Sequence, residues 1–255
     1  MKSALIGYTG FVGSNLLNQY QFTDTYNSSN IGELAGKEYD LVVCSGARAE
    51  KWKINQDPES DWNNLQSLMN NLSSATIKKC VLISTVDVYP HPQDVNEDTP
   101  INLEESSAYG KHRYQLEKFC TDSFPTLVVR LPGLFGSGLK KNIIFDFLNN
   151  NNLDRVHTDS VFQFYYLGHL WQDIQIAEKN NLSLLNIATE PIRIGEIAEK
   201  IFGREFENKP EGQSPARYDF HTKHAQLFGK SGNYLYDKKT VLKDLIDFVR
   251  NEQAI

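Results

Sequence analysis

Three glycines spaced three residues apart lie near the start of the chain, in the run Gly7–Gly13 with the sequence GYTGFVG. An apolar stretch that predicts a β-strand precedes the run, and a pattern that predicts a helix follows it. Glycines at such a turn let backbone amides approach a pyrophosphate closely, and the helix N-terminus adds partial positive charge. A tight turn with close helix–strand packing would need the same residues, and the spacing is GxxGxxG, not GxGxxG. We predict that this loop binds a dinucleotide cofactor.

The cofactor's adenosine ribose would lie beside the end of the second predicted strand. An acidic residue there would bind the 2′-hydroxyl of NAD. The sequence instead reads Asn27–Asn30 (NSSN), and Asp24 falls inside the predicted strand. Uncharged donors tolerate a 2′-phosphate, so the cofactor is NAD or NADP, with NADP favoured. The residues predicted from the loop and this strand end to contact the cofactor are Gly7, Thr9, Gly10, Phe11, Val12, Gly13, Asn27 and Ser28.

Apolar runs alternate with helical patterns along the chain, which predicts βαβ units and a parallel sheet. The runs Leu41–Val43 and Val81–Ile83 are apolar on consecutive residues, as a strand covered on both faces requires. The fold class is therefore α/β, a Rossmann-type doubly wound parallel sheet. The predicted strands are Ser3–Ile6, Thr23–Tyr26, Asp40–Cys44, Cys80–Ser84, Leu127–Arg130 and Leu184–Asn186. The predicted helices are Phe11–Asn18, Pro58–Leu72, Ser106–Phe119, Leu170–Lys179, Ile194–Ile201 and Thr240–Asn251.

Composition narrows the class of protein further. The 255 residues include 26 basic and 32 acidic side chains, a net charge of −6 that argues against a duplex nucleic-acid binder. The three cysteines do not form a CxxC pair, which indicates reduced, mostly buried thiols in a cytoplasmic protein. No run of about 18 apolar residues predicts a membrane span. His221 and His224 lack a partner at ligand spacing, so no metal site is predicted.

Two further segments combine hydroxyl, phenol and cationic side chains. Ser84–Pro90 (STVDVYP) ends the fourth predicted strand, and Ser106–Glu117 (SSAYGKHRYQLE) begins a helix. Together with the glycine loop, these segments resemble the extended short-chain dehydrogenase/reductase family, and more narrowly its nucleotide-sugar epimerases, dehydratases and 4-keto reductases. The resemblance continues through Arg130–Gly136 and Leu185–Ala188 and so covers nearly the whole chain.

The resemblance implies a catalytic role for Tyr109, whose phenol would exchange a proton with the sugar while hydride moves to or from a nicotinamide. A free phenol has a pKa near 10, so the family places a cation and a Ser/Thr hydroxyl beside it. By position Thr85 is the hydroxyl residue, and Arg113 replaces the family's lysine. Residues i and i+4 share a helix face, so Arg113 still holds a cation beside the phenol. The small residues that the resemblance places beside the cofactor are Ser45, Gly46 and Ala47.

A second tyrosine–cation pair in the same helix offers an alternative register. Tyr114 with Lys118 restores a tyrosine–lysine spacing, but that phenol would point roughly 140° around the helix from Tyr109.

In the family's 4,6-dehydratases an Asp-Glu pair follows the hydroxyl residue, whereas this chain has Val86 and Asp87. Valine has no proton to donate, so dehydration is the least expected reaction. Reduction and epimerisation both stay open.

The sequence thus predicts an NAD(P)-dependent oxidoreductase or epimerase that acts on a nucleotide-activated sugar. A non-catalytic cofactor-binding regulatory or scaffold protein is the alternative, because of the arginine at the lysine position. The resemblance implies a homodimer formed through Pro58–Leu72 and Ser106–Phe119. It also implies one unit over residues 1–255, with a dinucleotide-binding core at about 1–135 and 160–187 and a small substrate lobe at about 136–159 and 188–236. Candidates to line the substrate pocket are Arg48, Lys51 and Trp52, and candidates to hold the substrate phosphates, by charge and position only, are Lys140, Lys141, Asn142 and Arg217. His169 stands roughly where the family has an aspartate, which weakens the usual contact of the substrate lobe.

Overall fold

The computed structural model describes residues 1–253 and contains one large parallel sheet. In chain order the strands are β1 (Ser3–Ile6), β2 (Asp24–Tyr26), β3 (Glu38–Tyr39), β4 (Leu41–Cys44), β5 (Thr76–Ile77), β6 (Cys80–Thr85), β7 (Thr126–Leu131), β8 (Gly133–Phe135), β9 (Val161–Phe162), β10 (Phe164–Tyr166), β11 (Leu184–Asn186) and β12 (Ile192–Arg193). Six of them form the central sheet in the order β11-β7-β6-β4-β1-β2. The predicted Rossmann-type fold is confirmed.

The strand order reverses at β1, which decides where ligands can approach the sheet. From β1 the chain passes to the edge strand β2 and then returns to form β4 on the other side of β1. A crevice opens at the carboxyl ends of the strands at such a reversal. The glycine loop follows β1 and the Ser45–Ala47 run follows β4, so both lie at this end of the sheet.

Eight helices occur among the described residues, and several begin at capping side chains. They are α1 (Phe11–Leu17), α2 (Lys51–Gln56), α3 (Pro58–Ser73), α4 (Ala108–Ser123), α5 (Ile143–Asn149), α6 (Leu170–Lys179), α7 (Ile194–Phe202) and α8 (Lys238–Gln253). Asp57 caps α3, Ser107 caps α4, and Asp237 accepts a hydrogen bond from Thr240 N in the first turn of α8. The last predicted helix therefore begins two residues earlier than expected, at Lys238.

Two helices, α2 and α5, were not predicted. Both are short, and α5 depends on Asn142, whose side-chain oxygen accepts hydrogen bonds from Ile144 N and Phe145 N. The Asn142 amide also donates to Leu134 O at 2.7 Å. Asn142 had been suggested as a contact for substrate phosphate, but here all of these bonds serve the fold.

The chain divides into two compact units. The sheet unit comprises residues 1–90, 99–130 and 170–185. The apolar faces of α3 and α4 supply Leu65, Leu72 and Leu116 to its core, and the strands supply residues such as Val42 and Leu82. The second unit comprises 91–98, 131–169 and the residues from 186 onward. It contains the parallel pair β8–β10, the antiparallel pair β9–β12, and α5, α7 and α8.

The three cysteines, Cys44, Cys80 and Cys120, are free thiols buried in the core of the sheet unit. Their burial confirms that they behave as small apolar side chains. None of the helices in residues 1–253 is both long and apolar enough to cross a bilayer.

Candidate active site

Packing within the chain requires two of the three loop glycines. Gly7 has a φ of +85°, and a Cβ atom there would lie 2.5 Å from Ser45 O. A Cβ atom on Gly13 would lie 2.1 Å from Gly7 O, so α1 packs against the turn at backbone distance. At the exposed Gly10 a Cβ atom would meet only Gly7 O, at 3.3 Å. Gly10 therefore leaves an open surface over the loop, which fits the close approach of a pyrophosphate.

Two neighbouring strand ends surround this loop. Gly7 N donates to Tyr26 O at 2.7 Å, and the Asn27 amide donates to the Tyr8 hydroxyl at 3.3 Å. Ser45 donates from its hydroxyl to Ile6 O at 2.9 Å. Asp24 is the first residue of β2 and accepts a hydrogen bond from the Tyr39 hydroxyl at 2.6 Å, so its carboxylate has a partner within the fold.

The remaining predicted cofactor contacts lie in the same region. Thr9 and Ser28 are exposed, while Phe11 and Val12 are half-buried in the first turn of α1. Gly46 is exposed, and a Cβ atom on it would lie 3.0 Å from the side chain of Ile6. The structure therefore brings these side chains to one end of the sheet, as predicted from their order in the sequence. Their contacts with a cofactor stay predictions.

Tyr109 and Thr85 meet because α4 packs tightly against the 3₁₀ turn at Val86–Val88. A Cβ atom on Gly110 would lie 2.2 Å from Asp87 O, so only glycine allows this approach. Tyr109 N donates to the Asn55 side chain at 3.0 Å, which fixes the first turn of α4 to α2. The Tyr109 side chain is buried and hydrogen-bonds to the Thr85 hydroxyl.

Burial raises the pKa of the Tyr109 phenol above its ordinary value. The charge of Arg113 lowers this pKa, as do hydrogen bonds with Thr85 and Arg113, whereas the Asp87 carboxylate raises it. Burial outweighs the cation, and the phenol stays protonated at neutral pH. Asp87 itself is paired with Lys51 at 2.8 Å.

Arg113 lies where the sequence predicted, with its guanidinium carbon 4.8 Å from the centre of the Tyr109 ring. Its Nη1 and Nη2 atoms donate to the two carboxylate oxygens of Asp61 at 3.1 and 2.9 Å, and Nη2 also donates to Arg48 O at 2.6 Å. Arg113 and Asp61 are 3% and 4% exposed. The Nε atom of Arg113 is buried and has no hydrogen-bond partner among residues 1–253.

Sequence reasoning missed Asp61. It belongs to α3, and its carboxylate also binds His112 Nδ1 at 2.8 Å. One signal was available, because Asp61 falls on the buried stripe of α3 with Leu65, Leu68 and Leu72. A carboxylate on an apolar stripe needs a partner, and the structure supplies Arg113.

The alternative register is not supported by the positions of its residues. The Lys118 side chain is 57% exposed and pairs with Asp122 at 3.5 Å, one turn along the same helix. Lys118 is therefore a solvated helix residue, while Tyr109 and Arg113 lie buried on the inner face.

A buried ion pair holds the strands beside Tyr109. Arg130 donates from Nε and Nη2 to the Glu117 carboxylate at 3.0 and 2.6 Å, and from Nη1 to the Tyr89 hydroxyl at 2.7 Å. Ser84 donates to the same Glu117 carboxylate. These bonds join β6, α4 and β7, and so fix the strand end at Thr85 relative to the helix of Tyr109.

In the second unit, histidines have acidic neighbours that spacing did not reveal. His169 pairs with Asp244 at 2.8 Å and stacks on Tyr236 with ring centres 5.0 Å apart. His221 lies beside Asp94 and Asp219, with one ligand atom of each residue within 4.8 Å of the others. Tyr234 donates to Asp219 at 2.6 Å. We interpret this group as a hydrogen-bonded surface cluster, since exposed acidic groups commonly occur without an ion.

Comparison with known proteins identifies the family to which the chain belongs and solved structures that share its fold. The model of the NAD dependent epimerase/dehydratase family matches residues 19–170, a segment that begins after the glycine loop and includes Thr85, Tyr109 and Arg113. The search of curated proteins found no match.

Solved structures with the same fold cover the whole chain. A dTDP-4-dehydrorhamnose reductase from Clostridium acetobutylicum is 16% identical, with a TM-score of 0.75 over 99% of this chain and 100% of that one. A UDP-glucose 4-epimerase from Thermotoga maritima, solved with UDP-glucose, is 15% identical, with a TM-score of 0.74 over 100% and 99%. A dTDP-glucose 4,6-dehydratase from Streptomyces venezuelae, solved with NAD, is 14% identical, with a TM-score of 0.76 over 100% and 97%.

Proposed function

Because the chain belongs to the NAD-dependent epimerase/dehydratase family, we propose that it is an NAD(P)-dependent oxidoreductase or epimerase that acts on a nucleotide-activated sugar. One observation carries the proposal. The phenol of Tyr109, the hydroxyl of Thr85 and the guanidinium of Arg113 lie together where β6 ends. The glycine loop follows the carboxyl end of β1 in the same parallel sheet. Structural neighbours solved with NAD, UDP-glucose or UDP-glucuronic acid support the class of cofactor and substrate.

The residues fit a dinucleotide at the crevice. The open surface at Gly10 would hold the pyrophosphate, and Asn27 with Ser28 would face the adenosine ribose, so that NADP is accepted as well as NAD. When bound, the nicotinamide supplies or accepts a hydride. The unpartnered Nε of Arg113 would be available as a donor to a hydroxyl group of the cofactor.

Tyr109 then moves the proton that balances the hydride. Its phenol donates to a sugar carbonyl, or its phenolate accepts from a sugar hydroxyl, and Thr85 shares the hydrogen bond in either direction. Val86 is buried and has no proton to give, so elimination of water lacks its acid. Reduction and epimerisation are the reactions that these side chains can perform.

The proposed roles extend to the rest of the chain. Residues 1–135 and 160–187 would hold the cofactor, and residues 136–159 and 188–236 the sugar nucleotide. We further propose a cytoplasmic homodimer that uses the outer faces of α3 and α4. Sedimentation at micromolar concentration tests the dimer, and a strict monomer would contradict it.

The test of function uses NADH and NADPH with a panel of 4-keto nucleotide sugars, followed by loss of the reduced-nicotinamide absorbance. A second panel of 4-hydroxy nucleotide sugars with NAD or NADP, analysed by chromatography, detects epimers. We expect turnover in one panel, and a kcat lower by about 10²–10⁴ with Tyr109→Phe. A protein that binds cofactor in a fluorescence titration but turns over neither panel would contradict the proposal.

A second candidate function is a cofactor-binding protein without catalysis. The Asp61–Arg113 pair favours it, because the cation at the lysine position already has a partner. Arg113→Lys separates the two candidates. Activity that appears only in the variant would identify the natural protein as a binder, whereas a reduced rate in the variant would identify arginine as the working residue.

A further inference from the structure

The glycine loop and the turn after β2 are joined by a hydrogen bond between two side chains. Asn27 Nδ2 donates to the Tyr8 hydroxyl at 3.3 Å, a contact between the second residue of the loop and the first residue after β2. We propose that Tyr8 is a specificity-determining residue for the cofactor, and that Asn27 orients its hydroxyl so that the site favours the 2′-phosphate of NADP over the 2′-hydroxyl of NAD. This inference rests on the proposed function and names the cofactor of the same site.

The Asn27 amide decides where the proton of the Tyr8 hydroxyl points. A tyrosine hydroxyl can both donate and accept, whereas an amide nitrogen only donates. Since Asn27 supplies the donor of this bond, the Tyr8 oxygen is the acceptor and its own proton points away from Asn27. No other group among residues 1–253 bonds to this hydroxyl, and Tyr8 is only half-buried. The phenol is therefore a donor available to a ligand at the end of β2.

The side-chain acceptors of the turn after β2 are already used within the fold. Asn27 Oδ1 accepts from Ser29 N at 2.9 Å and from Ser29 Oγ at 2.6 Å. These two donors fix which way the Asn27 amide faces, with its nitrogen towards Tyr8. Asn30 Oδ1 accepts from Asn27 N at 2.8 Å, while the Asn30 amide donates to Thr25 O at 3.1 Å. Both asparagine oxygens are thus occupied, and the donor of Tyr8 faces outward.

No carboxylate of the turn takes the place of these acceptors, because residues 27–30 include no acidic side chain. The nearest acidic residues in the chain are Asp24 and Glu33, and Asp24 accepts a hydrogen bond from Tyr39. The hydrogen bond with Tyr26 raises the pKa of Lys37, and the nearby charge of Glu33 raises it further. Both carboxylates are therefore associated with other groups of the fold.

A site that offers donors suits a phosphate better than a ribose hydroxyl. The oxygens of a 2′-phosphate accept hydrogen bonds, and bonds to a charged acceptor are stronger than neutral ones. The 2′-hydroxyl of NAD instead gains from a carboxylate that accepts its proton, and the turn has none. Ser28 is exposed in the same turn and adds a second hydroxyl donor. Because the turn also lacks arginine, we expect a moderate preference for NADP, about tenfold.

Binding of cofactor fragments tests the inference without turnover. Adenosine 2′,5′-bisphosphate and AMP share the adenosine and the 5′-phosphate, and they differ only in the 2′ group. By calorimetry at one fixed ionic strength, we expect the wild type to bind the bisphosphate about tenfold more tightly than AMP, and NADPH more tightly than NADH by a similar factor. Equal or tighter binding of AMP and NADH would overturn the proposal.

Tyr8→Phe removes the proposed donor and keeps the aromatic ring. We expect the affinity for NADPH to fall by about five- to tenfold, and that for NADH to change by less than about twofold. Tyr20→Phe is the matched control, because Tyr20 is also half-buried and packs against Trp171, and it should change neither affinity. Equal losses for the two cofactors in Tyr8→Phe would show that Tyr8 serves packing, contrary to the proposal.

Asn27→Asp reverses the hydrogen bond with almost no change in shape. One carboxylate oxygen still accepts from Ser29, while the other accepts from Tyr8, so the Tyr8 proton turns inward and a negative charge is added beside the ribose. We expect the affinity for NADPH to fall at least about tenfold and the affinity for NADH to be kept or improved. Asn64→Asp on the exposed side of α3 is the matched control and should alter neither. A variant that is folded by circular dichroism and keeps the wild-type ratio of affinities would refute the inference.

The same measurements separate this inference from the proposed function. Tighter binding of NADPH without turnover of either sugar panel would support the role of Tyr8 and overturn the proposed catalysis. Turnover that prefers NADH over NADPH would support the proposed function and overturn the role of Tyr8. A protein that binds none of the dinucleotides or fragments would overturn both.

Discussion

Gly110 lies against the backbone carbonyl of Asp87 so closely that a Cβ atom at this position would be 2.2 Å from the oxygen. This contact joins the first turn of α4 to the 3₁₀ turn after β6. Tyr109 directly precedes Gly110, and Thr85 lies two residues before Asp87. The side chains of Tyr109 and Thr85 share a hydrogen bond. The absence of a side chain at Gly110 thus allows the close approach that brings the Tyr109 phenol and the Thr85 hydroxyl together.

Gly110→Ala should separate those groups. The added methyl cannot displace backbone, so α4 has to shift, and overpacking of this kind costs about 1–3 kcal/mol of unfolding free energy. We expect a fall in kcat of at least about tenfold, since positioning of reacting groups is sensitive to small displacements. Gly32→Ala is the matched control, because a Cβ atom there meets nothing within 4 Å. Thermal melts and steady-state assays of both variants check the prediction; an equal loss in the two would contradict it.

Tyr109→Phe removes the proposed proton donor while keeping the ring. We expect kcat to fall by about 10²–10⁴, the range for loss of a general acid or base, with cofactor affinity unchanged. Tyr114→Phe is the matched change in the alternative register and should retain activity. Steady-state kinetics and a cofactor titration on both proteins give the comparison, and the reverse order of activities would transfer the role to Tyr114.

Gly10→Ala and Gly13→Ala should fail in different ways. A methyl on Gly10 occupies the open surface of the loop, so we expect weaker cofactor binding by about tenfold or more with a nearly unchanged melting temperature. A methyl on Gly13 would lie 2.1 Å from Gly7 O, so we expect a destabilised protein. Cofactor titration and thermal melts distinguish the two. Unimpaired binding by Gly10→Ala would argue that the loop serves packing alone.

The buried cysteines should be unreactive while the protein is folded. Burial raises the pKa of Cys44 to about 12, and the hydrogen bond with Cys80, together with burial, raises the pKa of Cys120. The reactive thiolates of Cys44 and Cys120 are therefore scarce between pH 7 and pH 9. A thiol reagent is expected to modify all three residues in denaturant and none rapidly in the native state. Fast native labelling at pH 8 would contradict this prediction.

The fold class could be predicted from the sequence because its signals are local, and the candidate site residues were proposed from local patterns in the same way. Apolar runs such as Leu41–Val43 predict buried parallel strands, and Gly7–Gly13 predicts a tight strand–helix turn wherever the rest of the chain lies. The relation of Tyr109 to Arg113 is also local, since it depends only on the helical repeat. The short α5 was missed because its stability comes from the Asn142 cap and from the burial of its apolar side chains.

The charged groups around the phenol of Tyr109 could not be predicted from the sequence. Asp61 and Arg113 are 52 residues apart in the chain, and no periodicity links a carboxylate of one helix to a guanidinium of the next. The same holds for Gly110. Only glycine fits there because the carbonyl of Asp87, in another element, lies against its Cα atom. Local conformation places Tyr109 and Arg113 on one helix face, and this much follows from the sequence. Their ionisation depends on burial and on charged partners, and the packing of α3 against α4 brings those partners within reach.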